Sequence, residues 1–425
     1  MSRLDRNSGI LSREEKFDPL EWRVYQNKFL QEVVAHAYQA GTPLKVAMLQ
    51  RGLKPKHIQT VEDLAKLPVT KKSDLTKAQK DNPPFGGFCT VPPSELLRIH
   101  RSPGPIFDPV GKEPDYGRWK TSLYAAGFRP GDLVINTFAY HLTPAGHMFE
   151  DGFHGVGVGV IPSGVGNTET QVEILKELGV TGYCGTPSFL LAILEKATEM
   201  GIDPKKEIKL EIGFVLGEML PNSMRKRFID EYEILARQAY GTADVGNIAY
   251  ECPKTSGMHM HYDVIVEIAD PKTGRGLPPG EVGEVVVTCN NKTYPLVRFG
   301  TGDLSSIVVD GECACGRTAP RLSGIKGRAD QVTKVKGMFV HPSQVESVIK
   351  VHPEILKGRL VVDRPKDQDV MTLEVEVEGK APEGFASAVE KTLKEQAKLK
   401  GAVKVVKPGA LPEGMKTIED VRKWD

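Results

Sequence analysis

Three thiols and an imidazole fall in two tight groups, Cys252-(x6)-His259 and Cys313-x-Cys315. Three sulfur donors and one nitrogen suit a closed tetrahedral Zn²⁺ site of the structural kind. The 53 residues between His259 and Cys313 mean that the fold must bring the pairs together. Buried free cysteines are also common without metal. His261 is a rival ligand, ranked lower because two residues along a strand change the reach.

A second set of residues could handle a nucleotide or an acid. RFGTGDL, residues 298–304, sets two glycines around Thr301 and then Asp303 after a strand, where it could accept hydrogen bonds from paired ribose hydroxyls or simply close an Asx turn. AYGTADVG, residues 239–246, sets Tyr240 and Asp244 around a glycine turn, and Tyr240 reads equally well as core. IKGRADQVTKVKGMFVHPSQVE, residues 325–346, is dense in charge and glycine where the composition changes, and reads as a hinge or a solvated linker. ALPEGMKTIEDVRKW holds Lys416 in a Pro/Gly-rich loop near the C-terminus, by default a solubilising side chain.

The elements that would position these groups follow from hydrophobic periodicity. Residues 20–53 read as helical, with apolar residues at three- and four-residue steps and a stop at Gly41-Thr42-Pro43. Thr60 and Ser73 are helix-start signals. DLVINTFAY, GVGVGVIPS and VTGYCGT are short β-rich runs, interleaved with the helical ETQVEILKELGV and PSFLLAILEKATEMG, a pattern of parallel βαβ units. VIVEIAD and EVGEVVVTCN, split by PKTGRGLPPG, predict an antiparallel hairpin. From about residue 330 a smaller α/β unit follows. The expected architecture is a large N-terminal α/β domain with a β-rich subdomain, residues 1–329, and a small mobile C-terminal α/β domain, residues 330–425.

The chain has 425 residues, 40% hydrophobic and 26% charged, which fits a soluble globular protein of two domains. A net charge of +1 argues against nucleic acid or an anionic membrane as the main partner. No apolar run reaches the length of a bilayer span, and MSRLDRNSGILSREEKFDP lacks the apolar core of a signal peptide. Six cysteines are too few for a disulfide scaffold, so a cytoplasmic location is expected.

The order AYGTAD, RFGTGDL, IKGRADQV, LPEGMK resembles that of acyl-adenylate-forming (AMP-binding) enzymes. The segments VVAHAYQAGTPLKVAMLQRGLKPKHIQTVEDLAKLPVTKKSDL, AAGFRPGDLVINTFAY, PSGVGNTETQVEILKELGVTGYCGTPSFLLAI, GEVGEVVVT and VKGMFVHPSQVES resemble the phenylacetate–CoA ligase family in particular. The resemblance spans nearly the whole chain. It implies that Tyr240 stacks on adenine within a nucleotide site that also takes in Glu218, Gly241, Thr242 and Asp244. By the same resemblance Asp303 binds the ribose, Arg328 contacts the nucleotide and Asp330 is the hinge pivot. Lys416 would reach the α-phosphate and the acid's carboxylate as the adenylate forms. Phe138, Tyr140 and His141 match part of the acyl pocket; Phe138 and Tyr140, two apart, face one side if the segment is extended. Implied cofactors and co-substrates are ATP/AMP, Mg²⁺, coenzyme A and, at positions matching some relatives, Zn²⁺. The implied partner is a small, aryl carboxylic acid, and a homodimer is left open.

The chain departs from that family at its phosphate loop. Where the family has Ser-Ser/Gly-Gly-Thr-Thr-Gly-Lys-Pro, this chain reads His100-Arg101-Ser102-Pro103-Gly104-Pro105-Ile106-Phe107-Asp108-Pro109. Both threonines and the lysine are lost, three prolines cannot donate an amide, and Asp108 adds negative charge. Ala243 and Asp244 stand where a hydroxyl residue and the Mg²⁺-binding Glu are usual, and His141 where Gly is usual. Arg101 and Lys112 are candidates to replace the lost cation. Three functions are therefore carried forward: an acyl-CoA ligase, an adenylating enzyme with another acceptor (some relatives adenylate a deazaflavin), and a nucleotide- or CoA-binding homologue that no longer adenylates.

Overall fold

The computed structural model describes residue 6 and residues 9–102, 106–309, 311–329, 333–365, 368–379, 381–412 and 415–422. Asp330 and the loop centre 103–105 lie outside these. The chain forms two compact units, Met1–Lys326 and Gly327–Asp425.

The first unit is built on a sheet whose parallel part runs Gly159–Ile161, Leu133–Asn136, Gly182–Gly185, Ile212–Val215, Leu235–Thr242. Antiparallel strands Gly246–Glu251, Met258–Met260 and Arg321–Leu322 extend it. Neighbouring strand residues face opposite sides. Val134, Cys184 and Phe214 join Trp119, Leu123, Phe149 and Phe153 on one face. Ile135, Tyr183 and Val215 join Leu175, Leu190, Leu194 and Phe228 on the other. Burial on both faces explains why these strands read as continuous apolar runs rather than alternating ones. From Leu133–Asn136 the chain passes to one neighbour, Gly159–Ile161, then to the other, Gly182–Gly185. Such a reversal opens a crevice at the carboxyl ends of the strands.

A second sheet orders Thr70–Lys71, Phe299–Ser305, Gly283–Cys289 and Val264–Ala269. Its last two strands pair antiparallel, Val264 opposite Cys289. In the smaller unit Ala402–Val406, Val370–Val377, Ile355–Asp363 and Ile418–Asp420 form a mixed sheet, and helices Pro342–Val351 and Phe385–Ala397 share its core. The fold is thus mixed α/β. Among the described residues no helix is long and apolar enough to cross a membrane.

Several local expectations are corrected. The span 20–53 is two helices, Pro19–Gln39 and Pro43–Leu49, because Gly41 takes φ +78° and Pro43 can only begin a helix. Thr60 does begin a helix, as the N-cap of the 3₁₀ helix Val61–Lys66, and so stands as expected. Ser73 lies inside the helix Lys72–Asp81, whose N-cap is Lys71; Asp74 accepts from the Lys71 amide at 2.8 Å. The strand after Asp132 stops at Asn136, so Phe138 and Tyr140 are not on an extended segment. Phe138 packs on Phe149, ring centres 5.0 Å apart, whereas Tyr140 stands beside His147 and hydrogen-bonds with Asn136 at 2.9 Å.

Candidate active site and metal centre

Asp303 sits in a bulge, not an Asx turn. Gly300 lies opposite Val286 and Leu304 opposite Glu284, so Thr301, Gly302 and Asp303 face a single intervening residue. Gly302 takes φ +78° and its amide donates to Glu284 Oε1 at 3.0 Å. Bulges re-aim side chains, and this one delivers Asp303 to Tyr240. The tyrosine hydroxyl donates to Asp303 Oδ2 at 2.9 Å and lies 3.0 Å from Thr301 Oγ1. That contact joins the carboxyl end of Leu235–Thr242 to the second sheet. Just upstream, Arg298 is 3% exposed, takes φ +48°, and is held by Glu267 and the carbonyl oxygens of Leu67 and Gly274.

At Gly241 a Cβ would meet the Gly246 carbonyl oxygen at 2.3 Å and the Trp119 ring at 2.8 Å, so the turn after Tyr240 admits only glycine. Thr242 Oγ1 accepts from the Val245 amide at 3.3 Å. Glu218, beyond the strand Ile212–Val215, accepts from Ser188 Oγ at 2.5 Å. These groups share the carboxyl ends of the parallel strands. His141 is exposed. Arg328 and the exposed Lys416 belong to the smaller unit, Lys416 two residues before the strand Ile418–Asp420.

The cation that meets Asp244 is neither Arg101 nor Lys112. Arg101 lies over the Phe107 ring and Lys112 is exposed. Lys72 reaches Asp244 Oδ2 at 2.7 Å instead. It opens the helix Lys72–Asp81, and two turns on Gln79 grips the Phe107 backbone through its carbonyl oxygen at 2.8 Å and its amide at 2.7 Å. That helix therefore clamps the loop-derived hairpin, Arg98–Ser102 with Ile106–Val110, beside the Tyr240 turn. Sequence reasoning missed Lys72 because 172 residues separate the partners; the basic start of an amphipathic helix was the one available signal. Asp108 is 2% exposed. Burial first, and the charge of Asp244 second, push its carboxyl up to about 8.

The thiols and imidazole converge. His259 lies opposite Tyr250 and Met258 opposite Glu251, so the hairpin brings Cys252 near His259. Arg321 pairs across from His259 on its other side and draws in the loop carrying Cys313 and Cys315. All four donor atoms lie within 4.8 Å of one another. Cys252 and Cys313 sulfurs are 3.6 Å apart, and Cys315 sulfur is 3.4 Å from His259 Nε2. His259 Nδ1 is 3.1 Å from the Ala319 carbonyl oxygen, which leaves Nε2 as the inward donor. The hydrogen bond from Cys252, with His259 behind it, holds the Cys315 thiol far below its usual range, and the same bond pushes Cys252 up. His261 points elsewhere: its Nδ1 accepts from the Asp263 amide at 3.1 Å, and burial keeps it neutral, its value lowered to about 3. The donor set fits a tetrahedral metal.

This arrangement of strand ends, bulge and glycine turn, with a second α/β unit, is that of an AMP-binding enzyme. Residues 137–292 match the AMP-binding enzyme family and residues 337–422 the AMP-binding enzyme C-terminal domain. The chain is 32% identical to the phenylacetate-coenzyme A ligase of Thermus thermophilus, over 84% of this chain and 81% of that one. To the enzyme of the same name from Escherichia coli it is 30% identical, over 85% of each. It belongs to the phenylacetate–CoA ligase family. Its fold matches that of a 2-hydroxyisobutyryl-CoA ligase solved with 2-HIB-AMP and CoA, with a TM-score of 0.85 at 24% identity, covering 99% of this chain and 96% of the other.

Proposed function

We propose that this protein is an AMP-forming acyl-CoA ligase acting on a small, aryl carboxylic acid. In the first half-reaction the acid's carboxylate oxygen attacks the α-phosphorus of ATP, giving acyl-adenylate and pyrophosphate. In the second the CoA thiol sulfur attacks the acyl carbon, the thiol proton leaves, and AMP departs. The observation that carries the reading is the Tyr240–Asp303 contact at the carboxyl ends of the parallel strands, within a chain of this family. Asp303 is assigned the ribose hydroxyls, and the Tyr240 ring above the Gly241 turn is assigned the adenine. Glu218, Thr242 and Asp244 line the same strand ends, and Asp244 would help hold Mg²⁺, which shields polyphosphate charge. Phe138, Tyr140 and His141 are assigned to the acid's side of the crevice.

Lys416, Arg328 and Asp330 complete the proposal from the smaller unit. Attack on phosphate concentrates negative charge, and a positioned cation stabilises it most where water is excluded. Lys416 is assigned that task, Arg328 a nucleotide contact and Asp330 the pivot about which the unit turns before thiol attack. Cys252, His259, Cys313 and Cys315 are assigned a structural Zn²⁺. The free thiols suit a reducing cytoplasm, and a homodimer is compatible with the scheme. A second reading, a binding homologue that has given up adenylation, is favoured by Asp108 and the prolines in the phosphate segment. An adenylating enzyme with another acceptor differs from the first reading only in its independence of CoA.

Asp303→Ala tests the ribose assignment. AMP and ATP affinity should fall by about 10- to 100-fold, since hydrogen bonds to a charged group are worth ~1.5–3 kcal/mol. The melting temperature should stay close to wild type, because the Tyr240 hydroxyl retains Thr301. Unchanged affinity by calorimetry would remove Asp303 from the site.

A further inference from the structure

The helix Ala145–Val156 starts close to the carboxyl end of the parallel strand Leu133–Asn136, at the crevice opened by the reversal of strand order. Asn136 ties the two together. Its Nδ2 donates to the Gly146 carbonyl oxygen and to the Tyr140 hydroxyl oxygen, both at 2.9 Å. The fit is close, since a Cβ at Gly146 would lie 2.8 Å from the Tyr140 ring. His147, in the first turn of the helix, is thereby set at the crevice. Its ring centre is 5.0 Å from that of Tyr140 and 5.4 Å from that of His100, on the altered hairpin. The Arg98–Asp151 ion pair, at 2.6 Å, fastens the hairpin to the same helix. Neither ring nitrogen of His147 is satisfied. Nδ1 is enclosed and meets no partner among the described residues, and Nε2 meets none there either. The residue is half-buried, so the ring keeps an open edge. Burial first, and Arg98 beside it, lower its pKa, so the imidazole is neutral and offers one donor and one acceptor. Polar groups left unmet cost stability until a ligand group meets them.

We propose that His147 is a specificity residue for the acid, and that it selects small aryl acids bearing a ring hydroxyl over unsubstituted ones. A phenolic hydroxyl both donates and accepts, so it suits whichever nitrogen carries the proton. The rest of such an acid has an apolar wall to follow. Two residues beyond His147, Phe149 packs on Phe138 at 5.0 Å and on Trp119 at 4.6 Å between ring centres. The Trp119 ring in turn lies against the Gly241 turn, where a Cβ would meet it at 2.8 Å. The aromatic residues thus run from the polar imidazole to the turn that carries Tyr240, and an aryl acid lying along them sets its hydroxyl at one end and its carboxylate at the other. A site built round a hydrogen bond discriminates more sharply than apolar fit alone, because the analogue without the hydroxyl leaves the protein group unpaired. The inference rests on the ligase reading for the use made of the crevice, and narrows the acid within it.

The test compares phenylacetate with 2-, 3- and 4-hydroxyphenylacetate on the full-length protein. Two readouts are taken: kcat/KM for acid-dependent AMP release, and Kd by calorimetry without ATP. Wild type should favour at least one hydroxylated isomer by about 10- to 100-fold, the scale of a hydrogen bond whose loss leaves a group unpaired. In His147→Leu that preference should fall to near parity. The variant should melt no lower than wild type, because neither nitrogen has a partner to lose. His147→Phe keeps a ring beside Tyr140 and His100 but no nitrogen; it should lose the preference equally, and serves if His147→Leu does not fold. No hydroxylated isomer favoured in either readout, or a preference that survives both substitutions, would overturn the proposal. If no acid releases AMP but a hydroxylated isomer binds more tightly and loses that advantage in the variants, the ligase reading has failed and the role of His147 stands.

Discussion

Lys416→Ala should lose acyl-adenylate formation by ~10²–10³ or more, the usual cost of removing one positioned charge from a transition state, with misplacement adding to it. Given a pre-formed acyl-adenylate and CoA, the same variant should release acyl-CoA at nearly the wild-type rate. The split follows from the assigned role: Lys416 is needed while carboxylate attacks phosphorus and is absent from the thiol step. Unfolding cannot imitate it, because a misfolded chain loses both halves. Lys416 is exposed and lies before the short edge strand Ile418–Asp420, so its truncation removes no core contact. Rapid-quench measurement of each half-reaction checks it, and equal slowing of both would refute the two-state account.

The second large effect is expected at the thiol cluster. Purified protein should carry about one tightly held zinc per chain, as a closed four-ligand site implies. Cys313→Ser should lower zinc content and melting temperature together. Chelation should do the same to wild type, because binding energy at such a site is folding energy. The loss should extend to the N-terminal segment. Arg317 follows Cys315, donates its backbone amide to that sulfur at 3.4 Å, and forms a buried ion pair with Glu15 at 2.6 Å. Full zinc occupancy in a Cys313/Cys315 double variant, by elemental analysis, would eliminate this centre.

What the sequence discloses and withholds has physical causes. Parallel strands buried on both faces are continuous apolar runs, so the strands within DLVINTFAY and VTGYCGT were legible, the first overrun past Asn136, as were the helices between them. Donor types were legible in Cys252, His259, Cys313 and Cys315 because few residues offer sulfur or imidazole; their convergence depends on pairing of Met258–Met260 with strands on both sides. Asp303 could be picked out, but a bulge depends on the partner strand, which local spacing cannot encode. Phe138 and Tyr140 diverge because the strand ends at Asn136, a limit set by tertiary packing and not by propensity. Lys72 and Gln79 were hidden altogether. Their roles arise from a helix whose partners lie far along the chain, and a lysine at a helix start carries no distinguishing mark of its own.

This chain should convert an acid, ATP and CoA into a thioester despite its altered phosphate segment. That conversion is tested most directly by incubating the protein with ATP, Mg²⁺, CoA and phenylacetate or other small aryl acids, and following AMP, pyrophosphate and acyl-CoA by chromatography. AMP and acyl-CoA should form in equal amounts, both dependent on the acid, with AMP accumulation halted when CoA is left out. AMP accumulating without CoA in the presence of a different acceptor would move the protein to the alternative adenylating class. No acid-dependent AMP or pyrophosphate with any acid tried would contradict the ligase assignment and leave a nucleotide-binding homologue.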